Sequence, residues 1–510
     1  MKKLHVFAAL TIGSYEVTMS IYQVSPSGNM QLLNKMKQKI EIGKDTLRSG
    51  KISNGMTKKL IQELLKFKSI MEEYQVEEVL AYGATALREA KNQYFILEQI
   101  KNVTGFDIKV VNNPQQSFLV YKGVVSSAKF EEIGEKGAAI LDASAGKLRV
   151  TIYNKGDLVL TQNVSLGSLQ IREWMQKTGY SKAGQSGLIR EMINYRLKEM
   201  DTLFLENMKI HTLVLAGDLF TSRAGWKGKK GELLDGESFL KLCKKGEKIL
   251  EQNMALTEEA DVLLPSVIIC EEFFKRMDAK QVWFAGTDMN DGIAYDYAVE
   301  NKYLPVHRDF YRDIYSEVVQ TMNHFMADSN HNCYVEEVST VIFNGLAKSF
   351  GLTKRDELLL RTAALLHNCG SYITLAHAAR SSSYMVKRTE IIGLSNKERK
   401  IISEIIRYHK MNYEEFMDAI NGQGLGRKEM CLIGKLAVIL GIANTMDAAH
   451  VQKFQTVRTN IKNGEFRITV NSLSDGILEK QFIKRYEEFF EAMFGYSLLL
   501  REKNQRFLTL

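Results

Sequence analysis

Two short turns of small residues could together bind a phosphate group. The segment FAALTIGSYEVTMSIY at residues 7–22 is repeated as AAILDASAGKLRVTIY at residues 138–153, and the two copies align without a gap. Each copy has an apolar run, a turn and an alternating apolar and polar run, which predicts a β-hairpin with a tight turn. Clustered backbone N–H groups at such turns bind anions, so two facing turns predict a phosphate clamp. The alternative is two ordinary hairpins of similar composition.

The elements that must position these turns belong to a long chain with several domains. A length of 510 residues predicts about three or four domains. Residues before about 300 alternate β-rich and helical patterns, whereas residues 305–460 have helical periodicity almost throughout. A major boundary is therefore predicted at residues 301–306, and the repeat predicts two similar half-domains before it.

Composition and charge exclude several classes of protein. Apolar residues make up 45% of the chain and charged residues 25%, as in an ordinary soluble globular protein. The formal net charge of +8 suits an anionic ligand without requiring one, and nucleic acid is not expected as a partner. No apolar run approaches the ~18 residues of a membrane span, so no membrane partner is expected. The 5 scattered cysteines form no CxxC pair, which predicts no disulfide framework and a reducing cytoplasm.

At these turns the chain resembles the exopolyphosphatase / guanosine pentaphosphate phosphatase (Ppx/GppA) family of the actin-like superfold. The first turn reads TIGSYE at residues 11–16, and the second reads DASAGKLR at residues 142–149. Further segments match in the family's order and extend the resemblance over nearly the whole chain: residues 82–92, 111–124, 164–169, 263–266, 284–292, 363–370, 407–409, 443–450 and 489–500.

The resemblance implies the fold and the domain order. It implies α/β actin-like (ASKHA, ribonuclease H-like) duplicated half-domains, followed by an all-α HD-like domain and a small α+β C-terminal domain. We place half-domain I at residues 1–125, half-domain II at 126–303, the HD-like domain at 304–455 and the small domain at 456–510. The resemblance also implies a bacterial, cytoplasmic protein that forms a homodimer through its helical domain.

The resemblance places phosphate-binding residues on both turns and on one further segment. The first loop of the family reads Asp-x-Gly-Ser-Asn-Ser/Thr, of which this chain keeps Gly13 and Ser14. The second loop reads Asp-x-Gly-Gly-Gly-Ser-Thr-Glu, of which one glycine, Gly146, remains, followed by the new cation Lys147. Arg88 matches a phosphate-contacting arginine of the family. These five residues are the predicted phosphate ligands.

The catalytic positions that the resemblance implies are substituted. Hydrolysis of a phosphoanhydride uses donors for the phosphate, a divalent cation and a carboxylate that activates water. The family's catalytic glutamate aligns with Gln116, whose amide cannot take up a proton. The glutamate that ends the second loop aligns with Arg149, while its aspartate remains as Asp142, the candidate ligand for Mg²⁺ or Mn²⁺. Thr11 replaces the leading aspartate of the first loop, and Tyr15 stands where a small amide is expected.

These substitutions predict a Ppx/GppA-family protein that binds a phosphoanhydride, either inorganic polyphosphate or a guanosine polyphosphate such as guanosine pentaphosphate, with hydrolysis weakened or lost. Losing a positioned base removes about 10²–10⁴ in rate. Two alternatives stay open: an active exopolyphosphatase or pentaphosphate phosphatase with a substitute base, and a non-catalytic scaffold with a decayed cleft. Glu16, Asp157 and Asp288 are carboxylates near the matched motifs, but the sequence does not place them at the cleft.

The HD-like segment carries a second candidate metal site. HD phosphohydrolases use adjacent His and Asp ligands with further His or Asp positions, whereas here an asparagine follows His367, and an amide oxygen is the poorer ligand. Tyr334 rather than His331 aligns with the first ligand of that site. We therefore expect His367, His377 and His409 to be buried, hydrogen-bonded residues rather than metal ligands.

Overall fold

The computed structural model describes residues 4–178, 185–205, 208–217, 229–253, 260–420, 424–472 and 476–503. The chain divides into two compact units, residues 1–310 and residues 311–510. The first unit contains two α/β half-domains, and the second is helical with a small sheet near its end. Within the described ranges, no helix is long and apolar enough to cross a membrane.

A five-stranded mixed sheet forms the first half-domain. Its strands are β1 (His5–Ile12), β2 (Glu16–Val24), β3 (Met30–Lys39), β4 (Glu78–Gly83) and β5 (Lys109–Val110). Their order in the sheet is β3-β2-β1-β4-β5, with β1 to β3 antiparallel and β1, β4 and β5 parallel. The helices are α1 (Ile42–Ser49), α2 (Asn54–Glu73), α3 (Thr85–Glu89), α4 (Gln93–Thr104), α5 (Asn113–Val125) and α6 (Ala128–Glu135).

Apolar periodicity explains how this half-domain closes its core. Helix α2 begins after Ser53, whose side chain accepts a hydrogen bond from the backbone N–H of Met56. Its residues Leu60, Leu64 and Phe67 recur every three or four positions and are buried in the same cluster as the apolar side chains of β1 and β2. The amphipathic helix therefore covers one face of the sheet.

The second half-domain has a six-stranded sheet. Its strands are β6 (Ala138–Ala143), β7 (Leu148–Asn154), β8 (Asp157–Val164), β9 (Thr212–Leu215), β10 (Leu233–Asp235) and β11 (Gln281–Phe284). Their order is β10-β11-β9-β6-β7-β8. The helices are α7 (Ser168–Thr178), α8 (Gln185–Met200), α9 (Gly236–Asn253), α10 (Ala260–Arg276) and α11 (Met289–Glu300).

The two sheets repeat one topology. The run β3-β2-β1-β4-β5 of the first sheet corresponds to β8-β7-β6-β9-β11 of the second, with the same antiparallel and parallel pairings. The aligned residues Thr11 and Asp142 occupy equivalent register positions, opposite Thr18 and Arg149 respectively. The duplicated actin-like half-domains predicted from the sequence repeat are thereby confirmed.

Helices α5 and α11 pack closely enough that glycine is required at their contact. A Cβ on Gly292 would collide with the backbone carbonyl of Leu119, and one on Gly123 would lie 3.1 Å from the carbonyl oxygen of Asp288. Nearly every residue of α5 is buried. This contact packs the second half of α5 against the start of α11.

The second unit is helical and ends in a small α+β portion. Its helices are α12 (Phe310–His324), α13 (Ser329–Phe350), α14 (Lys354–Leu366), α15 (Ala378–Arg388), α16 (Asn396–Tyr408), α17 (Tyr413–Ile420), α18 (Arg427–Thr445), α19 (Ile477–Ile483) and α20 (Glu487–Phe494). The strands β12 (Phe454–Lys462), β13 (Glu465–Ser472) and β14 (Ser497–Lys503) form one sheet in chain order. The HD-like assignment and the four domain boundaries stay predictions.

Candidate functional site

Both predicted turns line one cleft in the first unit, with a volume of about 150 Å³. The first turn is closed by the N–H of Gly13, which donates to the carbonyl of Glu16 over 3.0 Å. The second is closed by the N–H of Ser144, which donates to the carbonyl of Lys147 over 3.1 Å. Side chains from the start of α5 and from the start of α11 complete the lining.

Each turn is held by the helix that follows its half-domain's first three strands. The N–H of Gly43 in α1 donates to the carbonyl of Ser14 over 2.8 Å, and the N–H of Leu169 in α7 donates to the carbonyl of Ala145 over 3.0 Å. Gly167 lies against the backbone of Ala145 and Gly146, where a side chain would collide. Backbone contacts therefore fix both turns, and in the second turn Ser144 Oγ also donates to the carbonyl of Lys147 over 2.8 Å.

Asp142 at the second turn is paired with Arg149. The two residues lie opposite each other in the β6–β7 register, and Arg149 Nη1 donates to Asp142 Oδ2 over 2.6 Å. The same Nη1 is 3.1 Å from Ser144 Oγ, and Nη2 is 3.5 Å from Thr85 Oγ1. Arg149 is only 2% exposed and does not line the cleft, whereas Asp142 does. Its guanidinium thus lies beneath the second turn.

Gln116, at the predicted catalytic position, lines the cleft and is buried. It lies in the first turns of α5, which begins with a capping box formed by Asn112 and Gln115. Its Oε1 has no hydrogen-bond partner among the described residues. A buried amide oxygen without a partner is costly, so this oxygen is available to a ligand or water in the cleft.

The start of α11 forms the third side of the cleft. Thr11 Oγ1 donates to Asn290 Oδ1 over 2.5 Å, and Asn290 Nδ2 donates to the carbonyl of Thr18 over 3.1 Å. Asp288 caps α11 by accepting from the backbone N–H groups of Asn290 and Asp291. Burial, followed by the charge of Asp288, raises the pKa of the Asp291 carboxyl to about 6.

Two carboxylates that the sequence left unplaced do line the cleft. Glu16 Oε1 lies 3.3 Å from Lys37 Nζ, and Asp288 Oδ2 lies 2.9 Å from Lys35 Nζ. Asp157 starts β8 and does not line it. Lys37 also lines the cleft, a role that depends on the β2–β3 register and leaves no motif in the sequence.

Two predicted phosphate ligands do not line the cleft. Arg88 Nη1 donates to the carbonyl of Val111 over 2.8 Å, and its Nη2 donates to Asn113 Oδ1 over 2.6 Å. Lys147 Nζ lies 2.9 Å from Glu89 Oε1. The other three predicted phosphate ligands, Gly13, Ser14 and Gly146, line the cleft.

The cleft is a poor fit for the divalent cation that the resemblance implies. In the part of the chain that the structure describes, no group of three or more His, Cys, Asp or Glu side chains could hold a metal ion. Asp142, the predicted ligand, accepts a charged hydrogen bond from Arg149. A hard cation such as Mg²⁺ would have to compete with a permanent positive charge for that oxygen.

The histidines of the second unit divide into a buried set and an exposed one. His367 and His409 are fully buried, and their Nδ1 atoms hydrogen-bond to the carbonyls of Ala364 and Ile406 over 2.7 Å and 2.6 Å. Their prediction as buried, hydrogen-bonded residues is confirmed. For His377 it is wrong, because this residue precedes α15 at the surface.

His331, and not the aligned Tyr334, lies beside His367. Its Nδ1 lies 2.8 Å from Asp447 Oδ2. The Nε2 atoms of His331 and His367 lie 3.1 Å and 3.0 Å from Asn444 Oδ1. Tyr334, the aligned residue, instead donates its hydroxyl to the carbonyl of Phe454 over 2.7 Å.

Comparison with known proteins gives consistent matches. The family model for the Ppx/GppA phosphatase family matches residues 20–300, and that for Ppx/GppA phosphatase, domain III, matches residues 315–487. A guanosine-5'-triphosphate,3'-diphosphate pyrophosphatase of Aeromonas hydrophila is 20% identical over 503 residues, covering 95% of this chain and 96% of that protein. One from Photobacterium profundum is 20% identical over 446 residues, covering 85% and 86%.

Solved structures share the fold of part of this chain. An exopolyphosphatase from Cytophaga hutchinsonii has a TM-score of 0.51 at 16% identity, covering 59% of this chain and 100% of its own. An exopolyphosphatase-like protein has a TM-score of 0.51 at 14% identity, with coverage of 59% and 100%. At these identities the likeness shows an actin-like fold.

Proposed function

The chain belongs to the Ppx/GppA phosphatase family, and from that premise we propose that its cleft binds a phosphoanhydride while hydrolysis is weakened or lost. The ligand class is inorganic polyphosphate or guanosine pentaphosphate. The observation that carries the proposal is the chemistry of the cleft at the positions of the family's catalytic carboxylates. One holds Gln116, whose amide oxygen has no partner among the described residues, and the other holds Arg149, which is paired with Asp142.

Binding is supported by the groups that both turns bring to the cleft. Gly13, Ser14 and Gly146 line it, together with the hydroxyl-bearing Thr85 and Ser144. Backbone and hydroxyl donors arranged on two turns are suited to phosphate oxygens. The names of the two pyrophosphatase relatives support a guanosine polyphosphate as one candidate ligand.

Loss of catalysis is supported by what Gln116 and Arg149 cannot do. An amide does not accept a proton from water, so Gln116 can orient an attacking water but not deprotonate it. Arg149 is permanently charged and already satisfies Asp142, so neither group acts as a general base. Removal of a base lowers the rate by about 10²–10⁴, which leaves little turnover.

The test is phosphate release combined with thermal stabilisation. Purified protein is incubated with long-chain polyphosphate and, separately, with guanosine pentaphosphate, each with Mg²⁺ or Mn²⁺. We expect the melting temperature to rise with at least one ligand, and release to stay far below about 1 s⁻¹, an ordinary rate for enzymes. Release at that rate contradicts the loss of catalysis, and no stabilisation with either ligand supports a scaffold instead.

An active hydrolase is the second candidate, and the position of Glu16 favours it. Glu16 lines the same cleft as Gln116, so a carboxylate is present there after all. If phosphate release is observed, Glu16→Gln should abolish it, with Lys129→Gln, outside the cleft lining, as the control. Release that survives Glu16→Gln would exclude Glu16 as the substitute base.

A further inference from the structure

Arg149 is bound by groups from both half-domains. Its guanidinium contacts Asp142 and Ser144 of the second half-domain and Thr85 of the first. The side chain is 2% exposed, and its Nε has no hydrogen-bond partner within the described residues. A planar guanidinium with fixed N–H directions is well suited to hold several oxygen atoms in one arrangement. Arg149 therefore has a defined position between the second turn and Thr85 of the first half-domain.

The carboxylates that line the cleft already have positive partners within the chain. Asp142 is paired with Arg149, Glu16 with Lys37, and Asp288 with Lys35. Mg²⁺ in phosphate sites is usually held by one or two carboxylates together with phosphate oxygens. In this cleft Mg²⁺ would meet carboxylates whose negative charge is already balanced by a lysine or an arginine. At Asp142 it would lie beside a guanidinium that cannot lose its proton.

We infer that Arg149, beneath the second turn, takes the place of a divalent cation at Asp142, and that phosphoanhydride binding in the cleft is independent of a divalent metal. The inference rests on the proposed function for its ligand. Arg149 replaces the glutamate that the family resemblance expects, which changes the charge at this position from negative to positive. The guanidinium supplies positive charge and holds the Asp142 carboxylate in place. In the absence of Arg149, a bound cation would have to do both.

The first test measures metal binding without a phosphate ligand. Mn²⁺ is titrated into wild type, Arg149→Gln and Arg149→Lys, and bound Mn²⁺ is followed by electron paramagnetic resonance. We expect wild type and Arg149→Lys to leave Mn²⁺ free, and Arg149→Gln to bind it. Adding Asp142→Asn to Arg149→Gln should abolish this binding. Mn²⁺ binding by wild type that Asp142→Asn removes would overturn the inference, as would a folded Arg149→Gln that binds none.

The second test measures tripolyphosphate affinity with EDTA and with Mg²⁺. We expect the dissociation constant of wild type to change by less than about threefold, whereas Arg149→Gln weakens by about tenfold or more in EDTA and recovers with Mg²⁺. Lys122→Gln is the matched control, since it removes the cation of a Lys–Asp pair outside the cleft lining. Dissociation constants are calculated from the concentration of free tripolyphosphate, which corrects for Mg²⁺ that binds it in solution.

The two tests separate this inference from the proposed function. A wild type that binds tripolyphosphate about tenfold more tightly with Mg²⁺ than in EDTA would overturn the metal independence alone. A wild type that binds no phosphoanhydride contradicts the proposed function, and the Mn²⁺ titration still decides the role of Arg149. If Arg149→Gln does not fold, wild type and Arg149→Lys decide the inference, because Mn²⁺ bound through Asp142 in either overturns it.

Discussion

Gly146 lies against Ser14, so the two turns of the cleft touch where glycine leaves room for a serine hydroxyl. A Cβ on Gly146 would be 2.7 Å from Ser14 Oγ and 3.2 Å from Thr85 Cβ. The first distance is shorter than a normal non-bonded contact, so a side chain at 146 requires the Ser14 hydroxyl to leave this position or the two turns to separate. The smallest residue at one turn thus sets how closely the other turn approaches.

Gly146→Ala is expected to destabilise the first unit by about 1–3 kcal/mol through overpacking. Thermal unfolding of the full chain measures the effect. Gly187→Ala in α8 is the control, because a Cβ there meets none of the described residues within 4 Å and should stabilise the helix by up to about 1 kcal/mol. Adding Ser14→Ala removes the hydroxyl and should partly restore stability to Gly146→Ala. Equal melting temperatures for Gly146→Ala and wild type would contradict the close contact.

Gln116→Glu combined with Arg149→Glu is expected to restore phosphate release. The double variant returns a carboxylate to position 116, where the amide oxygen has no partner among the described residues, and frees Asp142 for a metal ion. Release from polyphosphate should rise by about tenfold or more and require Mg²⁺ or Mn²⁺. Each single variant serves as a control and should gain less. A folded double variant that stays inactive would contradict the view that these two positions alone account for the loss of catalysis.

The duplicated half-domains could be predicted from the sequence because the two copies of the repeat share their apolar periodicity and the order of strand, turn and strand. The alignment of Thr11 with Asp142 requires equivalent hairpins, and the structure places them at equivalent register positions. The ion pair between Asp142 and Arg149 could also have been predicted from the sequence. In a hairpin with a tight turn, the residues that flank it at equal distances lie opposite each other, so opposite charges there indicate a pair.

Other parts of the site depend on packing that no local pattern encodes. Asp288 meets Lys35 across a separation of more than 250 residues, and only the packed tertiary structure fixes such a contact. In α13, His331 and Tyr334 are one turn apart on the same helix face, so sequence spacing alone does not decide which of them meets His367. Arg88 matches a family position, yet its local contacts with Val111 and Asn113 are visible only in the fold.

Arg190→Ala is expected to destabilise the second half-domain by about 3–5 kcal/mol at pH 7. Arg190 binds three carboxylates, those of Glu247, Glu271 and Glu272, and Glu271 is only 2% exposed. Burial opposes ionisation of Glu271, but hydrogen bonds from Lys275 and Arg190 outweigh it, so its pKa is lowered from 4.5. Chemical denaturation of the full chain at several pH values measures the loss.

The pH dependence of this loss has a definite sign. A carboxyl whose pKa is lowered by folding stabilises the fold above its unfolded value and loses that contribution as pH falls through the folded value. The difference between wild type and Arg190→Ala should therefore shrink below about pH 4.5. Lys241→Ala breaks an exposed pair with Glu237 and should cost less than about 1 kcal/mol at any pH. A pH-independent difference would assign the loss to packing rather than charge.

The second unit is expected to lose stability as pH falls below about 6.5, because it buries two neutral histidines. Burial, followed by the charge of Lys410, lowers the pKa of His409 to about 3, and burial lowers that of His367. The unfolded chain takes up protons that the folded chain excludes in this range. Each histidine therefore costs about 1.4 kcal/mol per pH unit below 6.5. Denaturant unfolding from pH 7.5 to 5 measures the slope.

His409→Asn separates this effect from general acid sensitivity. Asparagine can still donate to the carbonyl of Ile406, and the Nε2 that it removes has no partner among the residues described. The variant should lose about half of the slope, because His367 keeps the rest. His324→Asn, at an exposed position, should leave the slope as in wild type. A buried neutral imidazole must contribute to the pH dependence of the unfolding free energy in this range. If His409→Asn leaves that dependence unchanged, the acid sensitivity comes from other groups.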